Sequence, residues 1–146
     1  MTTIPFEEKF PLQNGDNEWI NALHETIDQL IQDNNGSTLV LQDTLLILDH
    51  ITSNTALKVP IQKIAKIAKE YGIKVLVDGA HGLLIQDLNM KELSASGIDF
   101  YVANAHKWMS SPRGAAFLYC DSEELRNSIL RLPAVISHGI DDGFVR

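Results

Sequence analysis

Hydrophobic and polar positions along the chain follow two periods, one helical and one extended. From Trp19 onward, Ile20, Leu23, Ile27 and Leu30 recur near helical spacing, which predicts a helix with Asp16 or Asn17 as candidate N-caps. "DNNGS" places Gly36 where a helix-ending glycine belongs. "TLLILDH" is an unbroken apolar run with polar residues at its end and predicts a buried strand over Thr44–Leu48. A second helix opens at Pro60, shows Ile61, Ile64, Ala65, Ala68 and Tyr71 on one face, and stops at Gly72. Lys63, Lys66 and Lys69 read as its solvated side. "IKVLVD" predicts a strand over Ile73–Val77 that ends in Asp78, and a short helix follows around Met90–Ala95. "GIDFYVAN" and "GAAFLYC" predict two more strands. "DSEELRNSILRL" predicts a helix capped by Ser122 or Asp121, with acids in its first turn. Near the start, Ile4 to Phe10 alternates weakly and predicts a short strand bounded by Pro5 and Pro11.

Strand and helix alternate, so the pattern predicts an α/β fold with a mainly parallel sheet. Length argues for one exception. A parallel return takes about a dozen residues or more, and the stretch from Asn104 to Gly114 has no room for a crossover helix. The strand at 114–120 is therefore expected to run antiparallel to its neighbour.

Composition narrows the picture. The 146 residues suit one compact domain, and 45% hydrophobic residues suffice for a core. No apolar run approaches the ~18 residues of a membrane helix, and "MTTIPFEEKF" has neither the basic nor the apolar region of a secretory signal. A cytoplasmic location is the resulting expectation. The single cysteine, Cys120, excludes an internal disulfide framework and reads as a packed thiol in an apolar strand. A net charge of −7 argues against a nucleic-acid partner, which requires a basic face.

In parallel α/β sheets, ligands bind beyond the carboxyl ends of the strands. Three strand ends here are conspicuously polar: Asp49, His50, Thr52 and Ser53 at the first, Asp78 and His81 in "VDGAHG" at the second, and Asn104, His106 and Lys107 at the third. Asp78 reads either as a turn residue or as an anion facing a cationic ligand atom. His81 is ambiguous alone, and "GAHG" is neither a Walker loop nor a dinucleotide fingerprint. Lys107 reads either as a surface charge or as a reactive amine, since a lysine desolvated beside cationic groups becomes nucleophilic toward carbonyls. A Schiff-base lysine together with an aspartate on a pyridinium nitrogen is the protein side of pyridoxal 5'-phosphate (PLP) chemistry. Asp49, His50, Asp78, His81 and His106 could instead ligate a divalent metal, but no H-x-x-x-H or H-E-x-x-H spacing is present and Lys107 would go unexplained.

"VLVDGAHG" followed by "IDFYVANAHKWMSSPRGAAFLY" resembles the class V aminotransferase family of fold type I PLP enzymes. "DHITSNTALKVPI", "NAHKW" and a later "SHG" look most like its isopenicillin N epimerase-like branch. The resemblance implies a three-layer sandwich with a mostly parallel sheet, of which residues 1–146 would be a partial PLP-binding large domain. It implies Lys107 as the Schiff-base residue, Asp78 on the pyridinium nitrogen and His81 near the ring hydroxyl. Asn104 and His106 would contact the phosphate, and Thr52 or Ser53 would lie near the ring's oxygen side. Ser137, His138 and Gly139 match a segment at the substrate mouth. The implied cofactor is PLP, the implied substrate an amino acid attacked at its α-carbon by an epimerase, lyase or aminotransferase, and full-length relatives are expected to be homodimers. A sulfur-transfer nucleophile is not evident, since Cys120 falls in a strand. Family members are longer at both ends, so this sequence reads as a fragment or truncated product expected to be inactive alone. The alternative is a non-catalytic remnant that binds a partner or homologue through an exposed sheet edge.

Overall fold

The computed structural model describes residues 14–131. The elements run α1 (Asp16–Asp33), a short 3₁₀ helix (Leu39–Asp43), β1 (Leu45–Asp49), α2 (Ile61–Glu70), β2 (Lys74–Asp78), α3 (Met90–Ala95), β3 (Phe100–Asn104), β4 (Ala116–Cys120) and α4 (Glu123–Arg131). The sheet has the order β1-β2-β3-β4. β1, β2 and β3 are parallel, and β4 returns antiparallel beside β3, as the short connection predicts. The architecture is thus α/β with a mostly parallel sheet. The weak strand expected at Ile4–Phe10 and the segment Ser137-His138-Gly139 lie outside the described residues.

Local chemistry explains where the helices start and stop. α1 begins one residue earlier than a cap at Asp16 would allow: Gly15 holds the cap position, and the Glu18 carboxylate accepts the Asn14 N–H at 2.7 Å. Gly36 (φ +80°) and Gly72 (φ +74°) take the left-handed conformation that ends a helix, and Gly36 N–H and Ile73 N–H reach back to Ile31 O and Ala68 O. Asn89 caps α3 by accepting from Lys91 N–H and Glu92 N–H, while its amide donates to the Glu92 carboxylate. The Ser122 hydroxyl accepts the Leu125 N–H and so caps α4.

The core lies on one face of the sheet. Leu48, Val75, Val77, Tyr101 and Ala103 point to it and are buried with Ile61, Ile64, Ala65 and Ala68 of α2. Trp19, Leu23 and Ile27 of α1 join the same core, and exposed Lys63 of α2 pairs with Asp16 of α1 at 2.7 Å. Burying a side chain such as Ile64 completely contributes about 1.5–3 kcal/mol. The opposite face is apolar but open: Leu45, Ile47 and Leu118 are exposed, Ile47 by 59%. Cys120 is half-buried on that face, opposite Phe100. None of the described helices is long and apolar enough to cross a membrane.

Candidate functional site

Parallel pairing sets the ends of β1 and β2 side by side, with Asp49 in register with Asp78. Side chains alternate between faces along a strand, so Asp49 and Asp78 stand on the open face at its carboxyl edge. The chain then turns sharply at 79–83, where Gly82 N–H and Leu83 N–H both bond to Gly79 O. Asp78 Oδ1 accepts the Ala80 N–H at 2.9 Å, which fixes the carboxylate against its own turn. His81 rides on that turn and is half-buried.

The third strand end brings the lysine across. After β3, Ala105 N–H bonds to Ala115 O, and Met109 N–H closes a helical turn onto Ala105 O. That turn aims two consecutive side chains at the β2 loop. Lys107 Nζ lies 3.1 Å from His81 Nε2, a bond the ammonium donates when the imidazole proton is on Nδ1. Trp108 Nε1–H donates to Ala80 O at 3.1 Å, and its ring meets His81 edge-to-face with centroids 6.2 Å apart. The structure therefore brings Asp78, His81 and Lys107 to one rim. Lys107 is exposed there rather than desolvated.

Asp49 belongs to the same cluster. Its carboxyl is pushed above the ordinary carboxylate range, first by partial burial and then by the charge of Asp78, while His81 and Lys107 pull the other way. The residue as a whole is exposed, so the carboxyl is only partly withdrawn from water.

Asn104 and His106 precede the lysine in the chain, and both are half-buried. Asn104 Oδ1 and His106 Nδ1 are buried and meet no hydrogen-bond partner among the described residues. Buried polar atoms are nearly always satisfied, so these two are the atoms of this segment that could meet a polar ligand group. Ser53 is exposed in the turn between Thr52 and Leu57, where Thr52 Oγ1 accepts the Leu57 N–H. None of the hydrogen bonds described above reaches it.

Two residues behave differently from their place in the pattern. His50 groups with the polar strand end by sequence, yet it is 4% exposed, because it follows Asp49 and so faces the covered side. There its Nδ1 lies 2.9 Å from the hydroxyl of Tyr101, which is fully buried. Burial pushes the Tyr101 phenol up to about 12, with Asp78 adding to the effect, and burial lowers His50, with Lys58 acting in the same direction. Tyr101 escaped the sequence reading because it sits in an apolar strand. Its hydroxyl at an inward-facing position was the available signal. Among the described residues no three His, Cys, Asp or Glu side chains converge as metal ligands.

The model of the aminotransferase class-V family matches residues 20–132. The chain belongs to the aminotransferase class-V family. It is 32% identical to the L-cysteine desulfhydrase of Arabidopsis thaliana over 143 residues, 97% of this chain and 29% of that protein. It is 33% identical to the isopenicillin N epimerase of Amycolatopsis lactamdurans over 91 residues, 62% of this chain and 22% of that protein. A crystal structure of a SepCysS–SepCysE N-terminal domain complex superposes with a TM-score of 0.64 at 26% identity, covering 88% of this chain and 31% of that one. The chain thus spans less than a third of the length of each of these relatives.

Proposed function

We propose that this chain carries the lysine-bearing part of a PLP site for chemistry at the α-carbon of an amino acid. The observation that carries the reading is the contact between Lys107 Nζ and His81 Nε2, made three residues from Asp78 on the same turn. When bound, PLP supplies an aldehyde for an amine and a pyridinium ring that withdraws electrons from the substrate's α-carbon. Lys107 supplies the amine, and its exposure leaves the nitrogen accessible. Asp78 offers a carboxylate with one oxygen held by Ala80 N–H, suited to a charge-assisted bond with a ring nitrogen. His81 holds the lysine nitrogen at the rim, and the Trp108 ring packs edge-to-face against His81.

The orphaned polar atoms of Asn104 and His106 fit the cofactor's phosphate end. His106 offers a ring nitrogen, and turning the Asn104 amide end for end presents its NH₂ as a donor. Ser53 remains a candidate for the ring's oxygen side on resemblance alone. Between epimerase, lyase and aminotransferase the geometry expresses no preference. The named relatives include a desulfhydrase and an epimerase.

Incubation with PLP, borohydride reduction and peptide mapping test the proposal. Label concentrated on Lys107 is the expected result. Label spread over Lys63, Lys66 and Lys69 in proportion to their exposure would overturn it.

A second reading, a module that binds a partner or homologue through an exposed sheet edge, draws on the edge strands β1 and β4, whose Leu45, Ile47 and Leu118 are exposed. Mass measurement with and without a longer homologue tests it, and a strictly monomeric chain in both conditions would end it.

A further inference from the structure

The geometry points to His50 and Tyr101 as positioning residues: a buried hydroxyl–imidazole bond beneath the 79–82 turn sets where His81 meets Lys107. Three contacts converge on this pair. Tyr101 lies in β3 and is fully buried, and its Oη is 2.9 Å from Nδ1 of His50 just past β1. Both ends of the turn between them rest on the two rings. A Cβ at Gly79 would fall inside the phenol of Tyr101, and a Cβ at Gly82 would collide with the His50 ring and the Tyr101 hydroxyl. The backbone is tied at the same level: His50 N–H donates to Asp78 O at 2.8 Å, and Gly79 N–H donates to Val102 O at 2.7 Å.

His81 lies between these two glycines. Its position is therefore a consequence of how closely the turn can settle on the pair, and Lys107 and Trp108 both bind to what the pair supports. Neutral partners suit this bond. Burial favours the neutral form of both groups, raising the Tyr101 phenol and lowering the His50 imidazole. The importance attached to the turn rests on the proposed PLP reading, because Asp78 opens it. The mechanical claim concerns Lys107 and can be read without cofactor, so either can fail alone.

The test uses the full chain, without PLP, and competitive acylation of its lysines by a trace of acetic anhydride. Lys107 labelling is expressed relative to Lys63 and Lys66 in the same molecule. Tyr101→Phe keeps the ring that supports Gly79 and removes only the hydroxyl. The expected result is a rise in relative Lys107 labelling of roughly two- to tenfold, the factor that accompanies loss of one hydrogen bond. His50→Phe, which keeps a ring and removes the nitrogen, should give a rise of the same size, and the double variant no more than either single change, because one bond is lost in all three. Near-UV circular dichroism monitors the fold, and His50→Phe carries the measurement should Tyr101→Phe fail to fold. Unchanged Lys107 labelling in folded variants overturns the inference. So do single effects that multiply in the double variant, which would mean that each ring acts by itself.

Discussion

Nζ of Lys107 and Nε2 of His81 stand 3.1 Å apart although 26 residues separate them in the chain. The contact lies at the surface, where a polar contact contributes little to folding. Lys107→Met should therefore leave stability within about 0.5 kcal/mol of the parent in urea unfolding. It should also abolish the borohydride-trapped cofactor at that position. A large loss of stability would show that the lysine is structural.

Gly79 is a steric requirement. Its φ lies outside the left-handed region, and the obstacle is the Tyr101 ring, which occupies the space a Cβ would take. Gly79→Ala should cost about 1–3 kcal/mol, the usual range for overpacking. In a Tyr101→Ala background the same change should cost close to nothing. A double-mutant cycle by chemical unfolding measures the difference.

The buried phenol makes a prediction at high pH. In the folded chain burial pushes the Tyr101 phenol up to about 12, above the ordinary value of about 10 expected in the unfolded chain. The folded state then holds a proton that the unfolded state has lost, so this contribution is full below pH 10 and is lost as pH rises toward 12. While the two states differ by one proton, the slope is about 1.4 kcal/mol per pH unit. Unfolding free energy measured against pH should fall less steeply over that window in Tyr101→Phe than in the parent.

Asp49 predicts the opposite use of a substitution. Its carboxyl is raised by partial burial and by Asp78, so the folded state binds its proton more tightly than the unfolded state does. Stability is then lost as pH rises through the carboxylate range. Asp49→Asn should be slightly more stable at pH 7, by ~0.5 kcal/mol or less because the residue is exposed. The gain should vanish below the ordinary carboxylate range. Paired thermal melts at pH 7 and in acid read the difference.

Much of this was legible in the sequence because several signals coincide. "IKVLVD" is a strand by composition and by its bounding glycine and aspartate, and the short link after Asn104 forces β4 to turn back. Strand ends moved by one residue: Asp49 and Asp78 still pair through their backbones, which a hydrophobic pattern does not register. The 3₁₀ helix Leu39–Asp43 went unseen because five residues are too few to show a period. Phe117 and Leu118 belong to an apolar strand run yet are exposed, since an apolar run says nothing about whether another layer covers it. The rim of Asp78, His81 and Lys107 followed from topology. The support under it did not, because contact between His50 and Tyr101 needs two strands and a turn in register, and neither residue signals that locally.

The β3–β4 hairpin acts as a ruler for the lysine. Asn104 faces Ala116 across it, and Ala105 N–H on one arm is tied to Ala115 O on the other. One inserted residue between them must either bulge out or rotate every β4 side chain to the opposite side of the sheet, exchanging Leu118 with Tyr119. Loop length here is thus as much a part of the site as the amine, and variants that alter it should lose the His81 contact with all the site's side chains still in place.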